Sequence, residues 1–205
     1  MSISDGDWLA RLEADATLSD DARSRLHAHQ NAVGDVARLI ARRLRLGRSL
    51  GEAIGRAAAY HDIGKLRIPS DILCKPGRLT AEEYSVIRAH SAIGHDLLAS
   101  QAGRLAPLAA QIALHHHEAM DGSGYPNGLR GRDIPLEARI VGVADVYDAL
   151  REDRPYRAGM PHDQAMKVLL EGDDRTWPAK FCPKVLRAAE ECHEEIAQSW
   201  RQCNA

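Results

Sequence analysis

Aromatic residues, which favour strands, make up only 4% of the 205 residues, and a single Phe is among them. Ala, Leu, Arg and Glu dominate the long periodic stretches instead, and these favour helices, so an all-α fold is expected. No Cys-x-x-Cys pair occurs: Cys74, Cys182, Cys192 and Cys203 stand far apart, which excludes a zinc ribbon and reads as reduced thiols rather than a disulfide frame. No run approaches the roughly 20 uncharged apolar residues of a membrane span. The N-terminal stretch Met1-Ser2-Ile3-Ser4-Asp5-Gly6-Asp7 also lacks the basic and apolar regions of a signal peptide, so a cytoplasmic protein without membrane contact is expected. With a formal charge of −2 there is no global attraction to polymeric nucleic acid, and an anionic ligand would need a local cluster of cations or metals. No internal repeat, low-complexity segment or interdomain linker is visible. We therefore expect one domain over residues 19–205, preceded by a helical extension at 1–18.

What is over-represented is histidine, with ten residues. The chain centres on His61-Asp62-Ile63-Gly64-Lys65, which follows the apolar run 54–60. On a helix, neighbouring side chains diverge by about 100°, so this doublet alone is an ordinary surface or capping pair unless further ligands converge on it from elsewhere.

A short helix is expected at 7–15 and a long one over 19–46, opened by Ser19-Asp20-Asp21. Along the long helix His29, Val33, Val36, Ile40 and Leu44 share one buried face, which points His29 inward. A helix over 49–60 delivers His61-Asp62; Gly64 allows a tight backbone, and Ile68-Pro69 stops further helix. Residues 72–79 read as a loop, and Thr80-Ala81-Glu82-Glu83 forms a capping box for a helix through His90. Another helix covers 91–99. After Pro107 an apolar helix ends in His115-His116-His117-Glu118, followed by the turn-forming Asp121-Gly122-Ser123-Gly124-Tyr125-Pro126-Asn127-Gly128. Pro135 opens a helix to residue 150 in which Asp145 lies among valines and alanines, where an unpaired carboxylate needs a cation. Asp148, nearer the helix end, suits capping or a salt bridge. A polar loop at 151–157 and two helices, 161–171 and 179–200, complete the chain.

His29, His61-Asp62, His90, His116-His117 and Asp145 are spaced 26 to 32 residues apart, so each stands on a different helix, as the ligands of a metal site in a bundle core would. With His61-Asp62-Ile63-Gly64-Lys65, Lys75-Pro76-Gly77-Arg78-Leu79-Thr80, His116-His117-Glu118, Asp121-Gly122-Ser123-Gly124-Tyr125-Pro126, Ala144-Asp145-Val146-Tyr147-Asp148-Ala149-Leu150 and Arg154-Pro155-Tyr156-Arg157 in order, the chain closely resembles the HD-GYP family of the HD phosphohydrolase superfamily. The resemblance spans about residues 29–157.

It implies a helical bundle carrying two divalent metals in its core, bridged by Asp62 and a water-derived hydroxide. One metal would take His29, His61 and Asp145, the other His90, His116 and His117. Iron or manganese is favoured over zinc, with nickel or magnesium also admitted by the ligand chemistry. The implied activity is hydrolysis of cyclic di-GMP to linear pGpG, with further cleavage to GMP left open and cyclic GMP-AMP as the rival substrate. A weakly active nucleotide-binding module that contacts diguanylate cyclases is the rival of another class. Asp62 and Lys65 would be catalytic, and Lys65, Tyr125, Arg154 and Arg157 would contact the substrate. His27, His162 and His193 are expected at the surface, and His95 and His115 outside the ligand set. A diguanylate cyclase or receiver-domain protein acting in trans is the expected regulatory partner. The sequence departs from the family in three places: Arg25 stands where three-metal members carry glutamate, Ala119-Met120 replace Arg-Trp, and Arg151-Glu152 replace small hydroxylated residues.

Overall fold

The computed structural model describes residues 20–153 and 158–203, with side chains from residue 24 onward. The expected extension at 1–18, the helix at 7–15, and Arg154 and Arg157 lie outside the described residues. Among those described there is no strand. The helices are α1 (Asp20–Arg43), α2 (Arg48–Ala58), α3 (Ser70–Leu73), α4 (Ala81–Arg88), α5 (His90–Ala99), α6 (Ala106–His115), α7 (Leu136–Arg151), α8 (His162–Glu171), α9 (Pro183–Glu191) and α10 (His193–Cys203). Short 3-10 turns occupy Ile63–Arg67, Gly131–Asp133 and Pro178–Lys180. No described helix is long and apolar enough to cross a membrane.

The inward stripe of α1 is as its spacing predicts, with Val33, Val36 and Ile40 fully buried. Two glycines bring α1 and α2 together. A Cβ on Gly34 would come within 2.7 Å of the Gly55 carbonyl oxygen, and one on Gly55 within 2.9 Å of that of Gly34. This backbone contact fixes how deeply α2 sits, and so where its end delivers His61 and Asp62 relative to His29. Helix α1 also packs on α7, α9 and α10, while α6 packs on α2, α5 and α7. Ile40, Ile54, Ile112, Ile140 and Tyr147 fill the space between them.

The capping box at α4 forms: Glu83 N donates to Thr80 Oγ1 at 3.2 Å and Thr80 N to a Glu83 carboxylate oxygen at 2.8 Å. Three expectations are corrected. Residues 70–73 form one helical turn, so the loop begins at Cys74. The helix expected over 179–200 is two helices, because Pro183 can open a helix but cannot donate within one, and Cys192 then breaks it at φ −122, ψ 23. The break redirects α10 across the end of α7. Finally, His162 and His193 are half-buried rather than free on the surface: Tyr147 Oη lies 2.9 Å from His162 Nδ1, and His162 Nε2 lies 3.1 Å from His193 Nδ1, tying α7, α8 and α10 together.

Candidate metal centre

His61 and Asp62 stand in the turn between α2 and the 3-10 helix, and Asp62 at φ −100, ψ 9 is outside the helical region. That turn is why two adjacent side chains can serve one centre instead of diverging. His90 opens α5, His116 and His117 follow the end of α6, His29 comes from α1 and Asp145 from α7. The structure brings all seven expected ligands to one place.

Three of the imidazoles are oriented by carbonyls of their own segments. His61 Nδ1 lies 2.8 Å from Ala58 O, His90 Nδ1 2.7 Å from Ile87 O, and His116 Nδ1 2.9 Å from Ala113 O. Donation from each Nδ1 leaves Nε2 with its lone pair facing the centre. His29 has no such carbonyl. Its Nδ1 is held 2.6 Å from Asp148 Oδ2, a side chain of another helix.

The two oxygens of Asp62 face two groups. On the Oδ2 side are His61 Nε2 at 3.5 Å and His29 Nε2 at 3.6 Å, with Asp145 Oδ1 3.3 Å from His29. On the Oδ1 side are His90 Nε2 at 3.2 Å and His116 Nε2 at 3.7 Å. Ligand atoms of Asp62, His90, His116 and His117 all lie within 4.8 Å of one another, as do those of His29, His61 and Asp62. Asp62 Oδ1 is buried without a hydrogen-bond partner, which is costly for an anionic oxygen unless a cation meets it. The donor set therefore fits divalent metals on both sides of Asp62.

The electrostatics of Asp62, Asp145, His116 and His117 agree. Burial opposes ionisation of Asp62, but Lys65 and His61, with the nearby imidazoles of His116 and His29, outweigh it and hold the carboxyl well below its usual range. Asp145 is lowered likewise against its burial, by His29 and His61. Burial drives His116 down to about 4 and His117 well below its usual value, so both are neutral, the form that ligates. His29 is also buried, yet hydrogen bonds to Asp145, Asp148 and Asp62 raise it well above the usual imidazole value.

Lys65 Nζ donates to Asp62 Oδ2 and lines a cavity of about 780 Å³ that opens on the centre. Arg25, Lys75 and Glu152 share its wall, as do His29, His117 and Asp145. Tyr125 lines a smaller cavity instead, its ring stacked on His117 at 4.6 Å with the Arg88 guanidinium 4.4 Å from its centroid. Burial and the neighbouring Tyr84, Asp145 and Asp62 push the Tyr125 phenol up, so it is a neutral hydroxyl. His95 pairs with Asp96 at 3.0 Å, and His115 is buried off the centre, so neither joins the ligands.

A model of the HD domain family matches residues 14–177. The chain belongs to the HD domain family. The two halves of its namesake doublet here are His61 and Asp62. Among curated relatives of this HD domain, the cyclic di-GMP phosphodiesterase response regulator RpfG of Xanthomonas campestris pv. campestris is 43% identical over 163 residues, covering 80% of the chain and 43% of the relative. The 3'3'-cGAMP-specific phosphodiesterase 2 of Vibrio cholerae is 38% identical over 167 residues, covering 81% and 32%. The chain thus spans less than half the length of either. Among solved structures, Bd1817, an HDG"Y"P protein from Bdellovibrio bacteriovorus, superposes with a TM-score of 0.63 at 19% identity, over 82% of this chain and 52% of that one. That likeness concerns the fold.

The structure separates the departures of this HD domain from its family pattern. Ala119 and Met120 line the smaller cavity, while Glu152 faces the larger one. Arg151 turns away from both: its guanidinium lies 4.2 Å from the Trp200 ring and 5.9 Å from that of Tyr147. Of the two roles expected of Asp148, the structure shows the salt bridge and not the cap of α7. Asp148 is buried, paired with His29, and accepts from Trp200 Nε1 at 2.5 Å. Its position three residues after Asp145, on the same helical face, is a signal that sequence reasoning could have used. Nothing local in the sequence marks Trp200.

Proposed function

We propose that the chain hydrolyses a phosphodiester bond of cyclic di-GMP, opening the ring to linear pGpG and acting further towards GMP. The observation that carries this reading is the placement of Asp62, one oxygen towards each imidazole group, beside a cavity of about 780 Å³ edged by Lys65, Lys75 and Arg25. That volume is in the range of small-molecule sites, roughly 300–1,000 Å³. The curated names of the X. campestris and V. cholerae relatives support a cyclic dinucleotide and leave 3'3'-cGAMP as the second reading.

In this reading His29, His61 and Asp145 hold one divalent cation, His90, His116 and His117 hold another, and Asp62 serves both. Bound there, the cations orient the diester, stabilise its developing charge and lower the pKa of water to about 7. Iron or manganese is our choice of metal, with zinc, nickel and magnesium as alternatives. Lys65 has two tasks: it holds Asp62 through Oδ2, and from the cavity edge it offers a proton to a phosphate oxygen or the departing 3′-oxygen. Arg154 and Arg157 contact the guanines or the second phosphate, as does the Tyr125 hydroxyl. A receiver-domain or diguanylate cyclase partner is proposed with it; the response regulator in the RpfG name is its support.

The test is metal analysis of anaerobically purified protein, followed by incubation with cyclic di-GMP and 3'3'-cGAMP and chromatographic separation of the products. Release of pGpG or GMP is the expected result. Conversion of cGAMP alone would select the second reading, and no turnover with a full metal complement would sink both.

The Asp148 contact gives a further expectation. Trp200→Phe keeps the ring on Arg151 but removes the donor that fixes Asp148, and so loosens His29. Loss of such an outer partner typically costs roughly 10–100-fold in metal affinity. One cation should therefore be stripped by a competing chelator much faster than in wild type, while the far-ultraviolet spectrum stays helical. Equal retention of both cations would show that Asp148 needs no support from α10.

A further inference from the structure

The smaller cavity, of about 280 Å³, carries a charge that nothing described balances. Arg139 of α7 lines it, and its Nε is buried without a hydrogen-bond partner. The one bond its guanidinium makes among the described residues is to Cys182 Sγ at 3.7 Å, a weak acceptor. No described carboxylate pairs with it. Lys180, on the same wall, lies 3.7 Å from the centroid of the Trp177 ring and reaches only the Arg175 carbonyl, at 3.3 Å. The two carboxylates that line the cavity are already engaged. Glu118 accepts from Asn127 N at 2.7 Å and Leu129 N at 2.9 Å, and Asp145 faces His29 and His61. Asp121, which Lys180 also faces, is taken up by Ser123 and Trp177. A half-buried guanidinium without a counter-charge, with an ammonium on the same wall, makes a site for an anion. Ser123 and Thr176 add hydroxyls to its wall.

His117 and Asp145 line this cavity and the larger one alike, so the anion would lie next to the metal centre. We propose that Arg139 and Lys180 form a subsite for a phosphate monoester: the terminal 5′-phosphate of a linear dinucleotide whose remaining diester lies at Asp62. This rests on the function proposed above, since opening one diester of a cyclic dinucleotide leaves such a terminal phosphate. The planar guanidinium fork matches phosphate oxygens two at a time. Anchored there, the linear product is held for a second hydrolysis. The oxygen of water bonds to phosphorus, the bond from phosphorus to the 3′-oxygen breaks, that oxygen takes a proton, and two 5′-mononucleotides result. Arg139 and Lys180 thereby bear on whether the reaction stops at the linear dinucleotide.

The test compares linear diguanylate bearing a 5′-phosphate with the same dinucleotide ending in a 5′-hydroxyl, on manganese-loaded full-length chain. A charge-assisted contact contributes about 1.5–3 kcal/mol, so KM for the phosphorylated form should be lower by about tenfold or more, and Arg139→Gln should shrink that ratio to about twofold or less. Lys180→Gln, at the rim, should narrow it partially. Equal KM values for the two dinucleotides in wild type, or an undiminished ratio in Arg139→Gln, overturns the subsite. A measurement on wild type alone guards against a variant that does not fold: inorganic phosphate should slow modification of Arg139 by phenylglyoxal, followed by peptide mass. Unchanged labelling overturns the subsite. Protection of Arg139 in a protein that hydrolyses no dinucleotide supports the anion subsite and overturns the reading of the main site instead.

Discussion

Asp62→Ala is expected to abolish hydrolysis of the cyclic dinucleotide and to remove most of the bound metal. In the proposed centre this carboxylate is the one group that both cations share, with Oδ2 near His29 and His61 and Oδ1 near His90 and His116. Its removal also takes away the carboxylate to which Lys65 donates. Losing the cation pair forfeits a lowering of the pKa of water from about 16 to about 7, so turnover should fall by roughly 10³-fold or more. Metal content per chain and product release, measured on the same preparation, decide the matter. Turnover like that of wild type would discard the mechanism. Hydrolysis lost with both metals retained would make Asp62 a catalytic group rather than a bridge.

Gly64→Ala is expected to be the most damaging substitution for stability near the site. Gly64 does not adopt the left-handed backbone for which glycine is often needed; it is required by proximity. A Cβ there would collide with the His90 carbonyl oxygen and lie 2.7 Å from Gly94 N, both rigid backbone of α5. The turn carrying His61 and Asp62 would have to move away from the helix carrying His90. Overpacking of this kind costs about 1–3 kcal/mol or somewhat more. The expected result is a lowered midpoint in thermal or urea unfolding, with metal lost from the His90 side before the chain unfolds. An unshifted midpoint would mean that α5 yields easily and that the close approach is not what positions the doublet.

The same glycine shows how far the sequence could be read. That a small residue belongs after His61-Asp62 was legible, but the reason was not, because the atom it must avoid lies 26 residues further on. The all-α class, the inward face of α1 and the capping box of α4 follow from local rules of spacing and hydrogen bonding, and they were readable in one dimension. The break at Cys192 was harder, since apolar spacing runs through 179–200 and only Pro183 hints at it. Once the chain bends there, Trp200 meets Asp148 and the stacked His162 and His193 meet Tyr147. No local pattern encodes these contacts.

By itself the sequence determined that histidines and aspartates spaced 26 to 32 residues apart would come from separate segments of a bundle, which made a shared metal centre the economical reading; it placed each on a helix, whereas His61, Asp62, His116 and His117 stand in the turns that follow helices. Tertiary structure decided what each group does there. It put His61 and Asp62 in a turn so that they act together, turned the two oxygens of Asp62 towards different imidazoles, assigned Asp148 to His29, and left Arg139 in a cavity without a counter-charge. The physical reason is range. Helix formation and amphipathic spacing are set by residues within four positions of one another, whereas the direction of a lone pair and the balance of a buried charge depend on whichever distant side chain packs against it.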